Sequence, residues 1–232
     1  MTAALDAGVE FEAVFVESGS VAKFHNLLVR TEALGQRVFV IDDGVAEKIA
    51  DATTPQPILA AVRFHEMSLG DVSFAGTVLV LHNVRDPGNV GTMIRSAAAF
   101  GATAVVLSGH SVDPYNPKTL RATAGAIFQL PVVVAPDFDA VVTAARARDS
   151  HVVATVVRGG ESLSESSLSG PVTIVIGSEA EGLSDHEAAQ ADRRVTLKMS
   201  GPTESLNAGV TAGIVLYLAQ SLQGHDAGRN EP

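Results

Sequence analysis

Short apolar runs alternate along this chain with longer stretches whose apolar positions recur at helical spacing. The first pattern predicts strands and the second predicts helices. Val9–Glu17 alternates apolar and polar residues as a half-buried strand does, Ser20 has the chemistry of an N-cap, and Val21–Leu34 has helical spacing that stops at Gly35. Arg37–Ile41 predicts a strand, Asp42–Ala52 a short helix, and Ile58–Phe64 a further strand after the turn Thr53-Thr54-Pro55-Gln56-Pro57. Residues 65–76 carry no strong period and predict a linker. Beyond it come a strand at Thr77–Leu81, a turn at Asp86-Pro87-Gly88, an Ala-rich helix at Val90–Phe100 and a strand at Ala104–Leu107. The cluster Asp113-Pro114-Tyr115-Asn116-Pro117 forces a loop, with Lys118 and Arg121 on a short helix before Gly125. Strands at Val132–Val134, His151–Thr155, Val172–Ile176 and Arg194–Leu197 and helices at Phe138–Arg148 and Ser205–Gln223 continue the alternation. The fold class is therefore α/β: a small α/β layer over 1–64, a linker over 65–76, a mostly parallel sheet covered on both faces over 77–224, and a tail over 225–232.

Composition narrows the class. With 46% hydrophobic and 18% charged residues among 232, the chain can bury a sizeable core. It has no uninterrupted apolar run of about eighteen residues, so no membrane span is expected. Met1-Thr2-Ala3-Ala4-Leu5-Asp6 lacks the basic start of a signal peptide, and a cytoplasmic location is the expectation. Zero cysteines exclude disulfides and thiolate chemistry, and the seven histidines lack H-E-x-x-H spacing, so no metal is expected. A net charge of −10 opposes strong binding to phosphates. The excess of acid is greater at the start: residues 1–74 hold 5 basic and 11 acidic groups, residues 75–232 hold 11 and 15.

Candidate chemistry sits in three stretches. In Thr77–Leu107, Asn89 stands where loop becomes helix and Arg95 is the single charge on an apolar helix. Taken alone, they read as an N-cap and a solvated charge. Gly177-Ser178-Glu179-Ala180-Glu181-Gly182 follows a strand, where glycines can supply positive φ and acids can favour a helix N-terminus. Ser205 and Asn207 open the last helix, where capping side chains and free N–H groups form a natural anion site. That helix is apolar nearly all round and has to be covered, by the sheet or by a second subunit. No G-x-G-x-x-G follows a strand and no G-K-[ST] pair occurs, which removes the main support for a small-molecule enzyme on a doubly wound dinucleotide or P-loop fold.

Together, V-L-H-N-V-R-D-P-G-N-V-G-T-M-I-R, V-I-G-S-E-A-E-G-L-S and L-K-M-S-G-P-T-E-S-L-N-A-G-V-T-A-G resemble, in order, the three motifs of the SpoU/TrmH family of RNA ribose 2′-O-methyltransferases of the SPOUT superfamily. The resemblance covers about two thirds of the chain. It implies a deep trefoil knot, S-adenosylmethionine as cofactor without a metal, a homodimer, and methyl transfer to a ribose hydroxyl of RNA, with 23S rRNA favoured over tRNA. A catalytically idle RNA- or cofactor-binding member is the alternative from another class. By the same resemblance Arg95, Asn89, Glu179, Ser205 and Asn207 carry catalysis. Gly177, Leu197 and Leu206, with Met199, Gly182, Leu107 and Gly109, hold the cofactor, and Arg85, Arg95 and Arg121 contact RNA. Residues 1–64 resemble the family's N-terminal substrate-binding domain without its opening basic helix and first strand, and so are expected to be a partial version of it.

Overall fold

The structure is a computed structural model, and it describes residues 1–50, 55–64, 66–164 and 167–227. The chain divides into two compact units, residues 1–65 and 66–232.

The first unit contains α1 (Thr2–Asp6), β1 (Phe11–Glu17), α2 (His25–Ala33), β2 (Val38–Ile41), α3 (Val45–Ile49) and β3 (Ile58–Val62). Its sheet has the order β2-β1-β3, with β2 parallel and β3 antiparallel to β1. The helix expected over Val21–Leu34 begins at His25, because Ser18–Ser20 forms a 3₁₀ turn and Ser20 makes no side-chain cap. The helix expected over 42–52 begins at Val45, where Glu17 Oε1 accepts from the amides of Gly44 and Ala46; residues 51 and 52 lie outside the described residues.

The second unit is built on a seven-stranded, all-parallel sheet: β4 (Thr77–His82), β5 (Ala104–Ser108), β6 (Val132–Val134), β7 (His151–Thr155), β8 (Glu161–Ser162), β9 (Val172–Ile176) and β10 (Arg193–Thr196). The order is β6-β5-β4-β9-β7-β10-β8. Strands buried on both faces read as continuous apolar runs, and the alternation inside them sorts the core. Leu79, Leu81, Leu107, Ile174 and Ile176 pack toward α4 (Pro87–Ala99) and α8 (Ala208–Ala227). Val78, Val80, Val106 and Val175 pack toward α6 (Phe138–Arg146). α5 (Pro117–Thr123) lies against α4, and α7 (Asp185–Ala189) follows β9.

Two expectations are corrected here. The segment 66–76, expected as a linker, brings Val72 and Phe74 into the second core, at 3% and 1% exposure; His65 lies outside the described residues. The last helix starts at Ala208 rather than Ser205 and runs to Ala227, three residues into the expected tail, whose remaining residues 228–232 lie outside the described ones. Of its apolar surface, expected to be covered by the sheet or by a second subunit, the core of this unit covers one face. Ala208, Ala212, Val215, Leu216 and Ala219 face the core, while Val210, Ile214 and Tyr217 stand 50%, 38% and 57% exposed on another face. Among the described residues no helix is long and apolar enough to cross a membrane.

Candidate active site

Parallel strands bring all their carboxyl ends to one edge, where loops gather and ligands bind in open α/β sheets. Here the segments after β7, β9 and β10 converge on a cleft of about 810 Å³. Residues 155–159 form one side, 176–183 a second, and Thr196, Leu197 and Met199 with 204–208 a third. Of the expected cofactor residues, Gly177, Gly182, Leu197, Met199 and Leu206 line it. Leu107 and Gly109 do not. Leu107 is a core side chain of β5 at 2% exposure, and Gly109 continues from β5, which β4 separates from β9.

The middle wall is a tight turn. Ser178 N donates to Gly182 O at 3.2 Å and Gly182 N returns to Ser178 O at 3.0 Å, with Gly182 at φ +69°. Gly177, just before the turn, has no room for a side chain: a Cβ there would lie 2.5 Å from the Gly182 carbonyl carbon and 2.7 Å from the Leu183 nitrogen. Glu179 sits exposed within this turn.

The three motif stretches meet through one hydrogen-bonded chain. Asn207 Nδ2 donates to Asn89 Oδ1 at 2.9 Å, and Asn89 Nδ2 donates to Glu179 Oε1 at 2.8 Å. Each link has a local cause. The N-cap of α4 is Asp86, whose Oδ1 accepts from the Asn89 amide at 2.8 Å, with Pro87 in the first turn, where its missing N–H costs nothing. The capping reading of Asn89 therefore fails, and its side chain is left for Glu179 and Asn207. Asn207, rather than Ser205, caps α8: its Oδ1 accepts from Gly209 N at 2.8 Å and Val210 N at 3.3 Å, which turns its amide nitrogen toward Asn89. Ser205 lines the cleft. Thr92 of α4 packs beside Gly209, holding the two helices together just beyond this chain.

The cations are arranged differently. Arg95 lies on the exposed face of α4, outside the cleft lining, and makes no hydrogen bond or ion pair among the described residues. Arg85 and Arg121 are also exposed, on the loop before α4 and on α5. Lys118 Nζ lies 3.9 Å from Asp86 Oδ2. Sequence reasoning missed Arg158 and Arg194 on the cleft; Arg158 pairs with Glu204 at 3.5 Å between two of its walls. Both partners are about four-fifths exposed, so this pair adds little stability. It also missed His82 and Glu187, a pair at 2.7 Å in which the imidazole is buried and the carboxylate partly exposed. The signals were a polar residue ending an apolar strand and a Ser184-x-x-Glu187 capping box. Burial pushes the Glu187 carboxyl up, but the Ser184 amide and hydroxyl and then His82 draw it down further, leaving it below the usual range. Among the described residues no group of three His, Asp or Glu side chains could hold a metal.

Comparison with known proteins agrees with this arrangement. The model of the SpoU rRNA Methylase family matches residues 76–217. The 23S rRNA (guanosine(2553)-2′-O)-methyltransferase RlmP of Bacillus subtilis is 32% identical over 183 residues, covering 79% of this chain and 72% of its own. An AdoMet-bound rRNA methyltransferase from Sinorhizobium meliloti superposes with a TM-score of 0.81 at 30% identity, over 94% of this chain and 82% of that one. The SpoU methyltransferase AviRb from Streptomyces viridochromogenes, in complex with AdoMet, gives 0.83 at 26% identity, over 96% and 86%. With its ordered motifs joined at one cleft and a family match over most of the second unit, the chain belongs to the SpoU rRNA methylase family.

Proposed function

We propose that this chain transfers a methyl group from S-adenosylmethionine to a ribose 2′-hydroxyl of RNA, with 23S rRNA as the substrate class. The observation that carries the reading is the chain Asn207–Asn89–Glu179, which ties three distant stretches together at the rim of one cleft. The cleft suits the cofactor. Its volume falls in the usual range for ligand sites of about 300–1,000 Å³. Ile176, Leu183, Leu197, Met199 and Leu206 offer apolar surface for an adenine and a methionine stem, while the turn 177–182 offers main-chain polar groups.

Bound there, S-adenosylmethionine supplies an electrophilic methyl group. The ribose oxygen forms the new C–O bond as the C–S bond breaks, and the hydroxyl proton has to leave. Arg95 is a poor acceptor for it, because a guanidinium stays charged at any working pH. Its planar fork instead suits the neighbouring phosphate and the hydroxyl oxygen, holding the nucleophile in line while water takes the proton. Glu179 is held by Asn89 and braces the cleft wall. Arg85, on the loop before α4, and Arg121, on α5, contribute phosphate contacts.

The unit is further proposed to act as a homodimer through the exposed face of α8, where Val210, Ile214 and Tyr217 form an apolar stripe. Phe100, the C-cap of α4, meets Tyr217 edge-on at 5.8 Å, so the end of α4, which carries Arg95, borders the stripe. A second subunit would then stand close to Arg95. A trefoil knot, formed where the segment 197–207 passes the loop after β7, belongs to the same proposal.

Calorimetric titration with S-adenosylmethionine, followed by radiolabelled transfer to bulk rRNA and tRNA, tests the reading. Binding with transfer to rRNA is expected, and Arg95→Ala should abolish transfer while leaving cofactor affinity within a few-fold. Transfer to tRNA alone would change the substrate class. Binding without any transfer would make the chain an idle member, and no binding by folded protein would remove the methyltransferase reading.

A further inference from the structure

Beside their meeting at Asn89 and Glu179, the β4–α4 stretch and the segment after β9 meet a second time, at the buried end of β4. His82, the last residue of β4, is 3% exposed, and its ring lies 4.6 Å from that of Phe138. A buried imidazole needs partners for both nitrogens. Nδ1 is 2.9 Å from Ser108 Oγ at the end of β5, and Nε2 is 2.7 Å from Glu187 Oε1 in α7.

Helix capping does not require that second contact. Glu187 Oε2 already accepts from Ser184 N at 2.7 Å and Ser184 Oγ accepts from Glu187 N at 3.2 Å, which completes the capping box. The other oxygen is committed to His82. Ser184 itself lies between Leu183 and Asp185, both of which line the cleft. We propose that His82 and Glu187 are positioning residues for the cofactor, pinning the end of the cleft wall 176–185 to the carboxyl ends of β4 and β5. This rests on the S-adenosylmethionine reading above. Asn89 and Glu179 fix the wall near its turn, and His82 and Glu187 fix it where it enters α7.

Asn83 makes the carboxylate decisive. Its Oδ1 accepts from His110 N at 2.8 Å, so the group 2.8 Å from His82 Nε2 is its amide nitrogen, which can only donate. Nε2 therefore either gives a proton to Glu187 or accepts one from Asn83. The charged oxygen favours the first arrangement. Without it the proton rests on Nδ1 beside Ser108, Nε2 accepts from Asn83, and the ring no longer holds α7.

The test is calorimetric binding of S-adenosylmethionine to the full chain, well below the melting temperature, for wild type, His82→Leu, Glu187→Ala, the double variant and His82→Gln. Each of the first two single variants should bind about tenfold more weakly, about 1.4 kcal/mol. The double variant should be no weaker than either, because the pair acts as a unit. His82→Gln, whose amide can still donate to Glu187, should stay within about threefold of wild type by the same scale. In steady-state assays KM for the cofactor should rise while KM for RNA is unchanged. Wild-type affinity in folded variants with only a lowered Tm would reduce the pair to a stability role and overturn the proposal, as would additive losses. If His82→Leu does not fold, Glu187→Ala at wild-type affinity has the same force. Failure of wild type itself to bind would instead remove the cofactor reading.

Discussion

Gly177→Ala isolates the cofactor wall with a single methyl group. The backbone of Gly177 lies outside the left-handed region, so alanine is conformationally allowed and the effect is steric. Its Cβ would stand 2.5 Å from Gly182 C, 2.7 Å from Gly182 O and 2.7 Å from Leu183 N. Carbon contacts settle at about 3.5–4.0 Å, so the turn has to move by about 1 Å. No flexible side chain can yield, because all three atoms are main chain. That movement breaks or stretches the reciprocal bonds between Ser178 and Gly182, each worth about 0.5–1.5 kcal/mol net. The loss of about 1–3 kcal/mol falls on the wall proposed to hold the cofactor, and corresponds to roughly a five- to 150-fold weaker Kd. Calorimetric titration with S-adenosylmethionine reads the affinity, and a thermal melt on the same samples reads the fold. A Kd equal to wild type in a folded Gly177→Ala protein would refute the assignment of this turn to the cofactor.

Asp86→Ala removes the N-cap of α4 and should lower stability by about 1 kcal/mol in a denaturant titration. Asn89→Ala leaves that cap intact, so its effect should fall on methyl transfer more than on the unfolding midpoint. Ile214→Glu places a charge in the exposed stripe of α8 and should convert a dimer to monomer by analytical ultracentrifugation; an unchanged sedimentation coefficient would exclude this face as the interface. Because Glu187 is held below the usual carboxylate range, its contribution to stability is complete above that range and is lost as pH falls through the lower folded value. The Tm gap between wild type and Glu187→Gln should therefore be full near neutral pH, begin to narrow as pH falls through the ordinary glutamate value of about 4.3, and close only below the lower folded value.

The central strands of the second unit were legible because burial on both faces leaves nearly continuous apolar runs, as in Thr77–Leu81 and Val172–Ile176, whereas the exposed two-residue edge strand β8 was missed. Helix starts were less so, since capping depends on which polar side chain the backbone actually reaches. Asp86, Asn89, Ser205 and Asn207 are all competent caps by type, and two of the four do the capping. The segment 66–76 misled through its small polar residues, although Val72 and Phe74 within it complete a core face.

By itself the sequence determined the alternating α/β order, which follows from local pattern, and through the likeness of its three motif stretches to a known family it pointed to Gly177, Gly182, Leu197, Met199 and Leu206 on the cleft. Only the tertiary structure decided the strand order, which separates Leu107 and Gly109 from the cleft by placing β4 between β5 and β9. It also decided the contacts between Asn207, Asn89 and Glu179 and between His82 and Glu187, which join residues 90 to 118 positions apart. Hydrogen bonds act over about 3 Å whatever the separation in sequence, and it is the parallel sheet that brings those atoms within reach at one edge.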